Sequence, residues 1–186
     1  MAQFEAVDMA LSSFPEERAR YLLEKLDASA IVKLKINAPV RTTQNLPNVN
    51  IRKGAVGKVI RYMNVREAEK AGHLVVPNDT PNLDFKSINR HTFTADDRWP
   101  LVRFSEHQVV LCVPVPSTPW QPGGITQVVR KQIPLALAFA MTIHSSQAKM
   151  FSRVKVDCNG MFAYGQPLSR VKGKDHVELL DLHLLR

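Results

Sequence analysis

Cysteine is scarce in this chain, and long apolar runs are missing. Cys112 and Cys158 are the only cysteines among 186 residues. They are too few for a disulfide scaffold, and no Cys-x-x-Cys or Cys/His spacing indicates structural zinc. No run reaches the roughly 18 apolar residues of a transmembrane helix, and "MAQFEAVDMALSSFPEERARY" lacks the apolar core of a secretory signal. These absences predict an intracellular protein from a reducing compartment, with no metal and no membrane attachment.

A phosphate-binding loop is also missing. "GAVGKV" contains Gly54, Gly57 and Lys58, but the Walker A pattern needs four residues between its glycines and Ser or Thr after the lysine. No apolar strand precedes the acids of "TADDRWP" as in Walker B, and neither serine of "HSSQ" lies in a GxSxG nucleophile motif. We therefore interpret Gly54 and Gly57 as turn residues with positive φ. We expect no ATP hydrolysis by this chain alone.

Positive charge is in surplus. The formal net charge is +8, and 45% of the residues are hydrophobic. The chain can therefore form one sizeable core or two small ones. The charge favours a polyanionic partner such as nucleic acid. A basic α/β domain without such a partner remains an alternative, because surplus positive charge is common.

Residue patterns predict an α/β fold that is rich in strands. Ser13 and Glu16 suggest a helix capping box, and an apolar stripe follows from Ala19 to Leu26. Pro134 precedes a second predicted helix, from Leu135 to about Gln147. A polar, proline-bearing region from Val76 to Pro100 predicts a long connection between strands. Alternating apolar residues predict strands in "AIVKLKINAPVRTTQN", "KVIRYMNV", "PLVRF", "HQVVLCVPVP", "ITQVVRKQI", "SRVKVDC" and "HVELLDLHLL".

A cluster of small polar side chains ends the second predicted helix. In "AFAMTIHSSQAKMF", Thr142, His144, two serines and a glutamine follow an apolar run. Hydroxyl, imidazole and amide groups at this density suit contact with phosphate oxygens, although an isolated histidine at a helix end is more often structural. Phe139 is expected in the core, and Trp99 and Trp120 are expected to cover the β unit.

At these residues the chain resembles the petite-integration-frequency (Pif) and RecD-like group of superfamily 1 DNA helicases. "RKQIPLALAFAMTIHSSQAKMFSRVKVDC" is similar to motif V and its lead-in strand, QIPLxLAWAxTIHKSQGxTxDxVxVDL. "LKINAPVRTTQNLPNVNIRKGAVGKVI" is similar to LKxGAxVMLxxNL…xNGxxGxV, which enters an SH3-like insert, and "PLVRF" to the strand that follows. "MFAYGQPLSRVKG" resembles motif VI, VFxxGQxYVALSRVxS. The similarity runs in order from about Ile31 to Leu184.

The resemblance implies a partial RecA-like fold, the second such domain of the helicase, with an inserted SH3-like small β-barrel. Residues 1–30 would be an N-terminal helical segment, and residues 31–132 a mainly β region with the insert. Residues 133–186 would form the RecA-like portion with motif V and a degenerate motif VI. The family implies an ATP-dependent 5′ to 3′ DNA helicase that acts in replication, recombination, repair or telomere maintenance. Gly54 and Gly57 would be structural residues of the barrel.

Roles for the polar cluster also follow from the resemblance. Thr142, His144 and Ser146 would contact single-stranded DNA, and Gln147 would face the nucleotide cleft. Arg170, in "LSR", would be the arginine finger that stabilises charge on the γ-phosphate. ATP and Mg²⁺ would belong to the full family enzyme, with neither held by this chain alone.

Three departures from the family pattern leave two explanations open. Ser145 replaces a lysine and Ala148 a glycine, and Pro167 stands where the family has about four residues. The first RecA-like domain, with Walker A and Walker B, is missing from the chain. The chain is then either a C-terminal fragment of a helicase or a degenerate remnant that binds nucleic acid or protein without enzymatic activity. In a eukaryote its location would be the nucleus or the mitochondrion.

Overall fold

The computed structural model describes residues 1–77, 85–89, 91–119, 126–140, 150, 152–158 and 171–180. The chain forms two compact units, Met1–Phe139 and Ala140–Arg186. The strands are β1 (Ala2–Glu5), β2 (Val7–Leu11), β3 (Ile31–Leu34), β4 (Pro39–Thr42), β5 (Val56–Met63), β6 (Leu74–Val75), β7 (Phe85–Ser87), β8 (Trp99–Ser105), β9 (Gln108–Leu111), β10 (Val115–Ser117), β11 (Val128–Gln132), β12 (Leu135–Leu137), β13 (Val154–Asp157) and β14 (Val177–Leu180). The α-helices are α1 (Glu16–Glu24) and α2 (Val65–Lys70), and 3-10 helices span Pro47–Val49 and Lys174–His176.

A six-stranded sheet dominates the first unit, in the order β12-β4-β5-β8-β9-β6. Its pairings are antiparallel except for β6 with β9. Val59 lies opposite Val102 on β5 and β8, and both side chains are fully buried. Burial on alternate positions places the intervening side chains on the other face. The sheet therefore has one apolar face toward the core and one face toward solvent along β5.

A second sheet, β10-β11-β2-β7, is antiparallel and carries α1. Ala19 and Leu23 of α1 pack against Ala10 and Val128, so the predicted apolar stripe is confirmed. A separate pair, β1 with β3, is held near this sheet by Gln132. The Gln132 Nε2 donates to the Phe4 carbonyl oxygen at 3.1 Å, and its Oε1 accepts from the Ile133 amide at 2.8 Å.

The amino-terminal segment contains more than a helix. Residues 1–30 form β1 and β2 before α1, so the predicted helical segment is corrected to a strand–strand–helix unit. The predicted capping box is wrong, because Pro15 is the N-cap and no side chain caps the helix. With the helix beginning at Glu16, Ser13 lies too far upstream to accept from the first turn. A capping box does form at α2, where Asn64 and Glu67 satisfy each other's backbone amides at 2.8 and 3.1 Å.

The helix predicted after Pro134 is wrong over its described part. Leu135–Leu137 is strand β12, paired antiparallel with β4, and Ala138–Ala140 is not helical. Leu135 is buried and Leu137 exposed, so the apolar run alternates across a sheet edge, and pairing there overrides local helix propensity. Phe139 is 65% exposed, which corrects its predicted core position. Trp99, which was expected to cover the β unit, is buried and packs against Phe4, whereas Trp120 lies outside the described residues.

In the second unit, β13 and β14 pair in parallel, with Val154 opposite Val177. Both strands were predicted from alternation. Val156, Cys158 and Val171 are buried there. Because β12 belongs to the first unit, the unit boundary lies after Phe139 and not at the predicted position 133.

Candidate nucleic-acid interface

The residues predicted to contact DNA and nucleotide lie outside the described part of the chain. Thr142, His144, Ser146 and Gln147 fall within 141–149, and Arg170 falls within 159–170. Their roles remain predictions. Among the described residues, a candidate nucleic-acid interface therefore consists of other side chains.

Gly54 and Gly57 differ in what they contribute. Gly54 has φ 83°, and its amide donates to the Thr42 carbonyl oxygen at 2.9 Å, so its predicted turn role is confirmed. Gly57 is not a turn residue; it lies within β5, and its predicted positive φ is wrong. A Cβ at Gly57 would come within 2.7 Å of Val102 Cγ1 and 2.9 Å of the Arg103 carbonyl oxygen. Glycine is required there because β8 packs closely.

A long basic segment supplies the strands around Gly57. Residues 28–66 contain no Asp or Glu and eight basic residues: Lys33, Lys35, Arg41, Arg52, Lys53, Lys58, Arg61 and Arg66. Within the described residues, only Lys53 of these eight forms an ion pair, with Asp27. Net charge alone does not locate this asymmetry, but a charge count along the chain would have found it.

Pairing in the six-stranded sheet brings two cations of this segment, Arg41 and Lys58, together with Arg103 of β8. Lys58 on β5 lies directly opposite Arg103 on β8. Arg41 on β4 lies opposite Val56, two positions before Lys58 on the same face of β5. We call Arg41, Lys58 and Arg103 the basic face. Directly opposed side chains have Cβ atoms about 5 Å apart, and diagonal neighbours about 7–8 Å.

The electrostatics of the basic face are unfavourable in isolation. Like charges directly opposite each other destabilise a sheet, and no acidic side chain pairs with Lys58 or Arg103 in the described structure. The Arg41 Nε is buried and has no hydrogen-bond partner in the part of the chain that the structure describes. Lys58 and Arg103 are exposed, so an external anion can reach both. Such an arrangement suits phosphate oxygens, which bind cations without regard to base sequence.

Metal sites and membrane-spanning helices are both absent from the described residues. No group of three or more His, Cys, Asp or Glu side chains there is arranged to hold a metal ion. No helix in those ranges is long and apolar enough to span a membrane. Cys112 and Cys158 are buried free thiols, and burial raises the pKa of the Cys112 thiol.

Sequence comparison connects the chain with DNA helicases. No protein-family model matches it. It is 28% identical over 201 residues to the ATP-dependent DNA helicase PIF1 of Emericella nidulans, covering 95% of this chain and 26% of the relative. It is 30% identical over 187 residues to human ATP-dependent DNA helicase PIF1, covering 96% of this chain and 23% of the relative. The chain therefore spans about a quarter of the length of these relatives.

Solved structures show the same fold. The crystal structure of Pif1 helicase from Candida albicans superimposes with a TM-score of 0.69 at 24% identity, covering 98% of this chain and 40% of that one. Pif1 helicase from Bacteroides, in complex with ADP-AlF3 and ssDNA, gives a TM-score of 0.60 at 17% identity, covering 100% of this chain and 35% of that one. At these identities the likeness concerns the fold.

Proposed function

We propose, from the premise that this chain is a Pif1-like segment of a superfamily 1 DNA helicase, that it binds single-stranded DNA through the basic face. The observation that carries the proposal is the direct opposition of Lys58 and Arg103, neither of which has an acidic partner among the described residues. Two unpaired cations on adjacent strands lower their mutual repulsion when a phosphate lies between them. The binding would be independent of base sequence and sensitive to salt.

The proposal also assigns two parts of the chain to helicase subdomains. The antiparallel strands β4, β5, β8 and β9 would form the SH3-like insert, supported by their contiguous order in the six-stranded sheet. The second unit, with its parallel β13–β14 pair, would belong to the RecA-like portion. A crystal structure of a larger segment that includes the neighbouring domain would test this assignment. A structure in which β4, β5, β8 and β9 do not form a small barrel would contradict it.

For the family's chemistry we propose the roles that the motifs imply. Thr142, His144 and Ser146 would contact the DNA backbone, Gln147 would face the nucleotide, and Arg170 would act as the arginine finger. ATP and Mg²⁺ would be bound by the full enzyme, and an isolated chain without Walker A would not turn over ATP. DNA-stimulated ATP hydrolysis by the isolated chain, abolished by Arg170→Ala, would contradict this view.

A degenerate remnant that binds nucleic acid or protein without enzymatic activity is the second candidate. The replacements at Ser145, Ala148 and Pro167 support it. Both candidates require DNA or protein binding, and they differ in whether adding a Walker-bearing domain restores hydrolysis. By the same resemblance, we propose a nuclear or mitochondrial location in a eukaryote, which imaging of a tagged gene product would test.

Fluorescence anisotropy with a labelled oligo-dT strand tests the basic face. We expect the Lys58→Gln/Arg103→Gln double variant to bind more weakly, and its slope of log affinity against log salt to fall by about 1.4, or about 0.7 for each lost phosphate contact. The matched control is Lys70→Gln/Lys86→Gln, which removes two exposed charges from α2 and β7. Equal weakening in both double variants, or no binding by the wild type at low salt, would refute the proposal.

A further inference from the structure

A cavity of about 190 Å³ opens beside the loop that follows β4. The loop's 3-10 helix and the chain near β6 and β10 contribute to its wall. Its principal lining residues are three amide side chains and three prolines: Gln44, Asn45, Asn48, Pro47, Pro77 and Pro116. None of the three residues of the basic face lines this cavity.

The cavity is held open by a well-anchored loop. Leu46, Val49 and Ile51 are buried, and the Leu46 amide donates to the Ile51 carbonyl oxygen at 2.7 Å. The Gln108 Nε2 donates to the Val49 carbonyl oxygen at 2.7 Å. A loop that is fixed by buried side chains and by hydrogen bonds within it and to β9 presents a preformed site, so little ordering entropy opposes binding.

Hydrogen-bonding groups remain available at the cavity. The Asn45 Oδ1 accepts from the Lys53 amide at 2.8 Å, which leaves its Nδ2 donor without a protein acceptor in the described structure. The Gln44 Nε2 donates to the Pro116 carbonyl oxygen at 3.4 Å, leaving the Gln44 Oε1 free to accept. Asn48 is exposed and makes no side-chain hydrogen bond among the described residues. Donors and acceptors are therefore both present.

Charge and size narrow the class of occupant. No lining residue is ionisable, so a charged group would lose its hydration without a counter-charge. The volume is below the roughly 300 Å³ of sites for drug-sized ligands, which limits the occupant to about one ring system. Flat apolar walls with amide groups suit a planar group that has apolar faces and a polar edge.

Positive charges beside the cavity indicate that the planar group belongs to a polyanion. Arg41 and Arg52 precede and follow the lining loop, and neither has an acidic partner in the described structure. Gln44 lies three residues after Arg41, so their Cα atoms are at most about 10 Å apart. We infer that the cavity receives one base of a nucleic-acid strand whose phosphates lie on the basic face. This inference rests on the proposed function.

Paired oligonucleotides test the inference. The probes are oligo-dT and a strand of equal length made of abasic sugar–phosphate units, both measured by anisotropy. We expect the wild type to bind oligo-dT about tenfold more tightly, because burial of a base against the apolar lining adds to the phosphate contacts that both strands make. Asn48→Met, which places a longer apolar side chain without a ring at the mouth of the cavity, should reduce this ratio to below about twofold, with binding of the abasic strand unchanged. Asn48→Ala is the matched control and should keep most of the preference.

The outcomes separate the two hypotheses. Equal affinity of the wild type for both strands, or a base preference unchanged in Asn48→Met, would overturn the cavity inference and leave the basic face intact. Loss of binding to both strands would refute the proposed function instead. In that case, titration with free thymidine, followed by amide NMR, tests whether the cavity binds a base. Chemical-shift changes confined to Val49, Val76 and their neighbours would support the inference, and no changes at millimolar nucleoside would overturn it.

Discussion

Gly57→Ala is a sharp test of how the basic face is held. The added Cβ would lie 2.7 Å from Val102 Cγ1, 2.9 Å from the Arg103 carbonyl oxygen and 2.9 Å from Phe104 Cδ1, where ordinary contact begins at 3.4 Å. Val102 is fully buried, and the carbonyl oxygen belongs to the backbone of β8. Neither can move aside as a flexible side chain would, so β5 and β8 must separate by about half an ångström.

The expected cost follows from two opposing effects. Overpacking of a well-packed interior costs about 1–3 kcal/mol. Replacing glycine by alanine restricts the unfolded chain and returns about 0.5–1 kcal/mol. Taking the middle of each range, we therefore expect Gly57→Ala to lower the free energy of unfolding by about 1 kcal/mol.

Urea unfolding followed by circular dichroism measures this difference. Gly173→Ala is the control, because an added Cβ there would find its nearest neighbour at 3.8 Å, the His176 Cδ2. That variant should be neutral or slightly stabilised. Because Lys58 follows Gly57 on β5, Gly57→Ala should also weaken binding of oligo-dT. A Gly57→Ala variant as stable as the wild type would show that β8 yields at this position, and the steric reasoning would fail.

Two further predictions concern buried ionisable groups. Arg130 binds Asp8 through two hydrogen bonds, at 2.6 and 2.7 Å, and its side chain is 8% exposed. Asp8→Ala should lower the free energy of unfolding by about 3–5 kcal/mol, because it leaves the buried charge of Arg130 without its partner. Arg130→Met in the same chain should recover much of that loss in a double-mutant cycle by urea unfolding; additive losses would contradict this. Burial raises the pKa of the Cys112 thiol, so the unfolded chain releases this proton first and stability should fall as pH rises above about 8.5. Urea titrations at pH 8 and pH 10 should show a smaller fall in Cys112→Ala than in the wild type, and an equal fall would refute the assignment.

Local sequence patterns predicted several of the strands. Alternation predicted β5, β8, β11, β13 and β14, because one buried face imposes a period of two on each strand. The structure also shows a backbone constraint that was not predicted. Asn37 stands where the family pattern has glycine, and it has φ 69°; asparagine tolerates the left-handed region better than most residues.

Other elements were decided by partners distant in sequence. The run from Leu135 to Phe139 has no local feature that excludes a helix, and only β4 as a neighbour makes Leu135–Leu137 a strand. The Asp8–Arg130 pair joins residues far apart in the chain. Neither residue shows a pattern that would identify its partner.

Composition and motif order by themselves determined the resemblance to Pif1-type helicases, the excess of positive charge and the acid-free segment 28–66, because these are properties of the linear chain. The tertiary structure decided which cations meet. The register of β4, β5 and β8 sets Arg41, Lys58 and Arg103 on one face, and a shift by one residue would have turned each strand's side chains to the opposite face. Register depends on contacts between strands, which no single segment contains.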